Sequence, residues 1–391
     1  MQKNGKIALN FFPGGMGAYM SSMTPYLFFL FWLFGFGFLW RIPYLKNDES
    51  LAMGSSKISI LVPARNEEKN LVKLITSLKH QTLKPFEIII IDDQSEDATA
   101  EVARREGCTV MISKDLPAGW AGKPWACWQA ANRATGDVFL FLDADTFLEP
   151  DGLLRIVSTY LRKGGLLSIQ PFHRMRRNYE RLSAIFNIIT MAGMNAFTLL
   201  GSKLKPTGAF GPCMVCSRED YFLVGGHEKA RGEVLESIAI GKEFLKANRK
   251  VHCYGGKETI SFRMYPDGLQ SLVEGFSKGF GTGANATSVA SLLVIVCWVF
   301  GGVGVTRHLI QSAILGNPMD LLGWTVLDIL YIIQIQWMLF RIGNFGFSTA
   351  LLFQIPLLFF VIVFAYSILR IFLVGKVRWK GRDIKPVKGG D

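Results

Sequence analysis

Val138-Phe139-Leu140-Phe141-Leu142-Asp143-Ala144-Asp145 joins an apolar run to two carboxylates one residue apart. A run of this kind is a strand buried on both faces. Its carboxylates emerge where the strand meets solvent, close enough to share one hard cation through oxygen ligands. Taken alone, an Asp-x-Asp also serves as a plain strand end. Two earlier strands that finish in equally polar chemistry change that reading.

Ile58 to Val62 is a strand ended by Pro63, and Leu71, Leu74, Ile75 and Leu78 then recur at helical spacing. Glu87 to Ile91 is a second apolar strand. Ala98 to Arg105 reads as a helix, Thr109 to Ile112 as a strand and Lys123 to Arg133 as a helix. Strands alternating with helices specify an α/β fold with a mostly parallel sheet, right-handed crossovers and helices on both faces. In such sheets ligands bind at the carboxyl ends of the strands. Those ends carry Pro63-Ala64-Arg65-Asn66-Glu67-Glu68, Asp92-Asp93-Gln94-Ser95 and Asp143-Ala144-Asp145. Asn66-Glu67 and Asp92 to Ser95 each also read as turns or helix caps. Three polar clusters on one sheet edge together describe a site for a base, a ribose and a diphosphate, with a metal at the phosphates.

The rest of the composition points to lipid. The 391 residues are 50% hydrophobic and only 19% charged, against about 25% charged in a typical soluble domain. Tyr26 to Trp40 is nearly unbroken apolar sequence and reaches spanning length if it begins near Ala18. Arg41-Ile42-Pro43 follows it in place of a small-residue cleavage site, which favours a retained anchor over a signal peptide. Three more apolar runs follow Ser288: Val289 to Val305, Leu321 to Phe340 and Ala350 to Val374. The net charge of +12 does not indicate nucleic acid, because the basic residues form no patch interleaved with aromatics. Lys376, Arg378, Lys380, Arg382, Lys385 and Lys388 instead follow the last apolar run, the pattern of a cytoplasmic tail on anionic lipid. Cys213-x-x-Cys216 has no second pair to complete a zinc site, so the six cysteines read as free thiols of a reducing compartment.

The ordered set Val62 to Glu68, Asp92-Asp93-x-Ser95-x-Asp97, Gly122-Lys123 and Asp143-x-Asp145 resembles family 2 glycosyltransferases, over roughly residues 57 to 280. The resemblance implies a GT-A-type (Rossmann-like) fold flanked by transmembrane helices. It implies inverting transfer of a hexose from a UDP-sugar with Mg2+ or Mn2+. It divides the chain into an anchor and linker (1–56), a catalytic domain (57–286, nucleotide-sugar half 57–150 and acceptor half 151–286), a transmembrane region (287–375) and a basic tail (376–391). By position, Asp93 would bind the uracil, while Pro63, Ala64 and Glu67 line the nucleoside pocket. Asp143 and Asp145 would face the ribose and the metal-diphosphate, with Asp145 the principal metal ligand and Asp143 assisting. Lys123, and more weakly Lys278, would contact the diphosphate.

A narrower likeness lies in Leu166 to His173, Ser183 to Asn187, Ala209-Phe210-Gly211-Pro212, Gly225-Gly226-His227, Phe262-Arg263-Met264-Tyr265 and Trp379 to Arg382. These stretches resemble bacterial glycosyltransferases of C30 carotenoid synthesis, which join glucose to a carotenoid carboxylate as a glucosyl ester. Many family members carry Glu-Asp in the acceptor half, with the Asp as general base, and then Gln-x-x-Arg-Trp. Here Leu235-Glu236-Ser237-Ile238 stands at the first place, and no Arg-Trp follows Gln270. A carboxyl acceptor with a pKa of about 4 is already ionised at neutral pH and needs no base. Glu236 would be the base if one is needed. The histidines at 173, 227 and 252 read as structural or acceptor-lining groups.

The alternatives are a glycolipid or polyprenyl-phosphate sugar transferase with a hydroxyl or phosphate acceptor, and an inactive membrane scaffold. The oligomeric state is not legible. The expected setting is the cell membrane, multi-pass, with the catalytic domain cytoplasmic. Tyr179 to Leu200 reads as an amphipathic interfacial segment under which a hydrophobic acceptor could reach the site. An inside tail requires an even number of spans after the catalytic domain. Asp328, Gln334 and Gln336 mark the middle run as the one that stays in the interface or re-enters.

Overall fold

The computed structural model describes residues 14–48, 56–233, 235–374, 377–379 and 382–384, without the side chains of 14–22, 202, 278–286 and those beyond 369. The expected strands form: β1 (Ile58–Ala64) and β2 (Glu87–Asp92) run two and one residues further than expected, and β3 (Thr109–Ile112) and β4 (Val138–Leu142) have the expected bounds. Beyond them come β5 (Thr146–Leu148), β6 (Leu166–Gln170), β7 (Phe172–His173), β8 (Cys213–Ser217), β9 (Val251–Gly255) and β10 (Ile260–Phe262). A seven-stranded sheet runs β3-β2-β1-β4-β8-β6-β9, and only β8 pairs antiparallel with its neighbours. A small sheet, β5-β10-β7, stands beside it.

The period-two alternation of the strands sorts side chains between two faces. Ile60, Val62, Ile90, Leu140 and Leu142 pack under the helices Glu68–Lys79, Thr99–Arg105 and Gly152–Lys163. Leu61, Ile89, Ile91, Phe139 and Phe141 face the opposite way, against the Gly122–Arg133, Ala184–Gly193 and Glu236–Lys246 helices. That second core continues without a break into Trp298, Tyr331 and Phe353 of the C-terminal apolar helices. The sheet and the apolar bundle therefore share one buried face.

The bundle consists of helices Gly14–Phe38, Val289–Leu315, Pro318–Ile342 and Gln354–Val374. Val289–Leu315 and Pro318–Ile342 are long and apolar enough to cross a membrane. Gly301 lets Val289–Leu315 pack closely on Tyr331 of Pro318–Ile342, and Gly304 lets it pack on Phe28 of Gly14–Phe38, where a Cβ would clash. Two of the three polar residues that set the middle run apart in the sequence, Asp328 and Gln334, are paired inside the bundle, while Gln336 is half-buried and its Oε1 finds no partner among the described residues. Gln334 accepts from Trp298 Nε1 at 2.8 Å and donates to the Trp32 carbonyl at 2.9 Å. Asp328 accepts from Gln354 at 2.9 Å. Paired inward, these groups carry little of the penalty that the sequence reading assigned to them, and the run is a regular 25-residue helix. The last apolar run is the broken one, split into Phe347–Leu351 and Gln354–Val374.

Tyr179 to Leu200 does not form a span. It is a 3-10 turn and the short Ala184–Gly193 helix, and its apolar side chains (Ile185, Phe186, Ile188, Met191) are buried in protein rather than turned to lipid. Leu269–Ala286 is an amphipathic helix. Cys213 and Cys216 are free and buried in β8. Of the basic tail, Lys376, Lys380, Lys385 and Lys388 lie outside the described residues, as does the side chain of Lys278.

Candidate active site

The carboxyl ends of β1, β2 and β4 lie side by side, since β1 pairs in parallel with both others and Ala64 is in register with Asp92. Most of the polar residues there are used to hold the loops. Asp92 accepts from the Ser95 amide at 3.1 Å, and Asn66 accepts from the Glu96 amide at 2.8 Å. Asp97 accepts from the amides of Glu68 and Thr99. Asn66 and Gln94 take positive φ of 54° and 56°, turning both loops sharply at the sheet edge. Asp93 stands at the same edge. It is 5% exposed, its amide donates to the Ala64 carbonyl at 2.8 Å, and Arg65 lies 3.9 Å from its Oδ2. Glu67 borders the same recess, its Oε2 accepting from Asn70 at 2.7 Å.

At the end of β4, Lys123 unites two of the expected site residues. The Gly122–Arg133 helix starts there and points its first lysine back at the strand end. Lys123 Nζ lies 2.7 Å from Asp143 Oδ1 and 2.9 Å from Glu236 Oε1. One ammonium thus bridges two carboxylates from opposite halves of the domain, with the three side chains 23%, 27% and 11% exposed. Burial works against the charged lysine, but the two carboxylates hold its pKa well above the ordinary value. Burial raises Glu236, and the Lys123 ammonium and its hydrogen bond override this and hold that carboxyl below its usual range. Asp143 moves up, through burial and the proximity of Glu236 and Glu67, against the pull of Lys123. The lysine was expected at a diphosphate; here its ammonium is taken up by carboxylates.

Gly211 borders the cluster: a Cβ there would sit tightly against Ser237 Oγ at 3.3 Å and in ordinary contact with Lys123 Nζ at 3.5 Å. Ser237, in the place of the family's aspartate, is 8% exposed at the same spot. His227 is buried beside the cluster, with Nδ1 2.9 Å from the Tyr221 hydroxyl, and burial lowers its pKa to about 3. It is neutral and structural, as is His173, also lowered to about 3 by burial.

Asp145 lies one residue before β5. The antiparallel register pairs Thr146 with Phe262, so the next step along places Arg263 across from Asp145. The Arg263 fork grips Glu180, which is 1% exposed. Tyr265, at φ 53°, lies close enough to Asp145 for its phenol pKa to be raised, chiefly by burial and further by that carboxylate. Arg263 and Tyr265 escaped the reading of roles from sequence, although their stretch was singled out there; nothing local in sequence signals a register partner. Among the described residues no three His, Cys, Asp or Glu side chains converge on a point. The all-oxygen pair Asp143 and Asp145 suits Mg2+ or Mn2+, which take one or two carboxylates and complete their shell with phosphates and water. Asp143 is already engaged by Lys123 at 2.7 Å.

Comparison with known proteins shows the family. Residues 59–221 match the model of the family described as Glycosyl transferase family 2. The chain is 36% identical over 341 residues to 4,4'-diaponeurosporenoate glycosyltransferase of Staphylococcus aureus (strain N315), covering 86% of this chain and 90% of that protein. The counterpart in strain MRSA252 is 35% identical over 339 residues with the same coverage. Among solved structures, a mannosyltransferase of Pyrobaculum calidifontis in complex with GDP-Man and Mn2+ superposes with a TM-score of 0.49 at 13% identity, over 90% of this chain and 98% of that one. Sheet order, strand-end carboxylates and sequence kinship converge: the chain is a glycosyltransferase of family 2, with a GT-A-type α/β fold.

Proposed function

We propose that the enzyme moves a hexose, glucose in the first instance, from a UDP-sugar to the carboxylate of a hydrophobic C30 carotenoid acid, giving a glucosyl ester at the cytoplasmic face of the membrane. The observation that carries this reading is the environment of Glu236. Glu236, an acceptor-half carboxylate beside Asp143, lies 2.9 Å from an ammonium that keeps it ionised, and Ser237 follows it where the family resemblance leads one to expect an aspartate. A carboxylate held in this way is a weak base. An alcohol acceptor needs a base to take its proton, whereas a carboxylate acceptor arrives without one.

The transfer is a single in-line displacement. An oxygen of the acceptor carboxylate places its electron pair on the anomeric carbon, and the bond from that carbon to the diphosphate oxygen breaks, its pair leaving with UDP. Configuration inverts and no proton changes hands. Asp93 holds the uracil, with Ala64 and Glu67 walling the nucleoside recess. When bound, Mg2+ or Mn2+ supplies charge neutralisation at the diphosphate, held by Asp145 with Asp143 adjacent. Lys123 fixes Asp143 and Glu236 relative to each other, so that the donor and acceptor halves keep one spacing. The long apolar helices seat the domain at the bilayer, where such an acceptor dissolves.

The test is acceptor choice. Purified protein in lipid vesicles, with UDP-glucose and Mg2+ or Mn2+, is offered the carotenoid acid, its alcohol and a polyprenyl phosphate. Turnover with the acid alone is expected. Preference for the alcohol or the phosphate would move the enzyme to glycolipid or polyprenyl-phosphate chemistry.

A further inference from the structure

We propose that the last apolar segment, residues 343–374, does not cross the bilayer but enters it and returns to the side on which the catalytic domain lies. The inference rests on the membrane seating proposed above, and on where successive residues of the segment are fastened.

Its beginning is held on the catalytic domain. The Asn344 amide donates to the His173 carbonyl at 3.0 Å, and Arg181 Nη1 donates to Ser348 Oγ at 3.1 Å. The same level receives the other helix ends: the Trp40 amide donates to the Phe197 carbonyl at 2.8 Å, Arg341 Nη1 donates to the Trp40 carbonyl at 3.0 Å, and Asn195 Nδ2 donates to Ser288 Oγ at 3.3 Å. This level is the floor of the bundle.

The middle of the segment is well above that floor. Phe353 stacks on Tyr331 at 5.8 Å, and Gln354 Nε2 donates to Asp328 at 2.9 Å. Asp328 lies about four helical turns, roughly 20 Å, above the end of its helix at Ile342.

The second half comes back down. Phe360 packs on Phe186 of the catalytic domain at 4.9 Å, and Ser367 Oγ donates to the Ser277 carbonyl of the amphipathic Leu269–Ala286 helix at 2.7 Å. From Gln354 to Ser367 is between three and four turns, which matches the climb. The strand Val377–Trp379 then runs alongside the Leu269–Ala286 helix. A reach of roughly 20 Å falls short of a hydrocarbon core of about 30 Å. The Val289–Leu315 and Pro318–Ile342 helices, about 40 and 37 Å long at 1.5 Å per residue, are sufficient to cross it. Ile355, Leu358, Ile362 and Leu369 stay exposed along the returning helix, a face suited to acyl chains.

The arm has a consequence for the site. Phe360, Phe186, Phe276 and Tyr265 form one run of ring contacts at 4.9, 4.2 and 5.3 Å, and Tyr265 lies beside Asp145. The lipid-facing arm is thereby packed directly onto the acceptor side of the catalytic corner. Two crossings followed by a re-entry also give the even count that a basic tail on the catalytic side requires.

Labelling of the full chain in cells with a membrane-impermeant maleimide tests the proposal. Three single substitutions are compared with the unmodified chain as background: Arg104→Cys on the catalytic domain, Met319→Cys at the turn between the two long helices, and Asp383→Cys after the arm, with Arg382→Cys as a second position should Asp383→Cys fail to accumulate. The expected result is that position 383 behaves like 104, both reacting only after permeabilisation, while 319 reacts in intact cells. Position 383 reacting with 319 and against 104 would show that the arm crosses and overturn the proposal. All three reacting alike would show that the long helices do not cross; the membrane seating itself would then fall, and the re-entry with it.

Discussion

Replacing Lys123 with methionine keeps the length of the side chain and removes its charge. The legs of 2.7 and 2.9 Å place the Asp143 and Glu236 oxygens within about 6 Å of each other. With the ammonium gone, two like charges at that distance repel by about 3 kcal/mol at an effective dielectric near 20. All three side chains are between a tenth and a third exposed, so solvent lowers the figure, to about 1.5–3 kcal/mol. If the bound geometry depends on that spacing, transfer falls on the order of 10- to 100-fold. A second sign follows from the same physics. Repulsion raises the pKa of one carboxyl by one to about two units, and protonation below that value relieves it. Initial rates with saturating UDP-glucose and acceptor, measured from pH 8 to pH 5.5, should show the variant recovering relative to the parent as pH falls. A variant within about threefold of the parent at pH 7.5, with a parallel pH profile, would refute the bridging role.

Asp145→Ala should abolish transfer and leave the fold intact, since the residue sits at a sheet edge outside the two cores; near-normal turnover of purified variant with divalent metal would contradict its role. Asp93→Ala should raise KM for the donor with kcat little changed, because its contact to the base is the same in ground and transition states. A collapsed kcat at unchanged KM would place Asp93 elsewhere in the chemistry. Buried His173 and His227, with pKa near 3 in the fold and about 6.5 unfolded, favour the folded state fully only above pH 6.5. Each should remove about 1.4 kcal/mol by pH 5.5, seen as a falling thermal midpoint in detergent; a midpoint unchanged between pH 7.5 and 5.5 would show that they are not held neutral.

The parallel half of the fold was legible because its information is local. Ile58 to Val62, Glu87 to Ile91 and Val138 to Leu142 announce buried strands by composition, and the first two are each followed by a helix. The carboxylates at their ends could be assigned to one edge before any coordinates, since parallel crossovers allow no other arrangement. What was not legible depends on distant partners. Nothing near Lys123 says that Glu236, 113 residues later, takes half of its ammonium. Likewise, Asp328 and Gln334 look costly in an apolar run until Gln354, Trp298 and Trp32 supply their hydrogen bonds. That local view expected the irregular geometry in Leu321 to Phe340, which is one regular helix; the break falls after Gly343, in the more uniformly apolar of the two runs.

The central claim is transfer to an acceptor oxygen that carries no proton, with inversion, and the product bond tests it most directly. NMR of the purified product of UDP-glucose and the carotenoid acid should show a β-configured glucosyl ester, which mild alkali splits into glucose and the free acid. An alkali-stable glycoside, or an α-configured ester, would contradict the account.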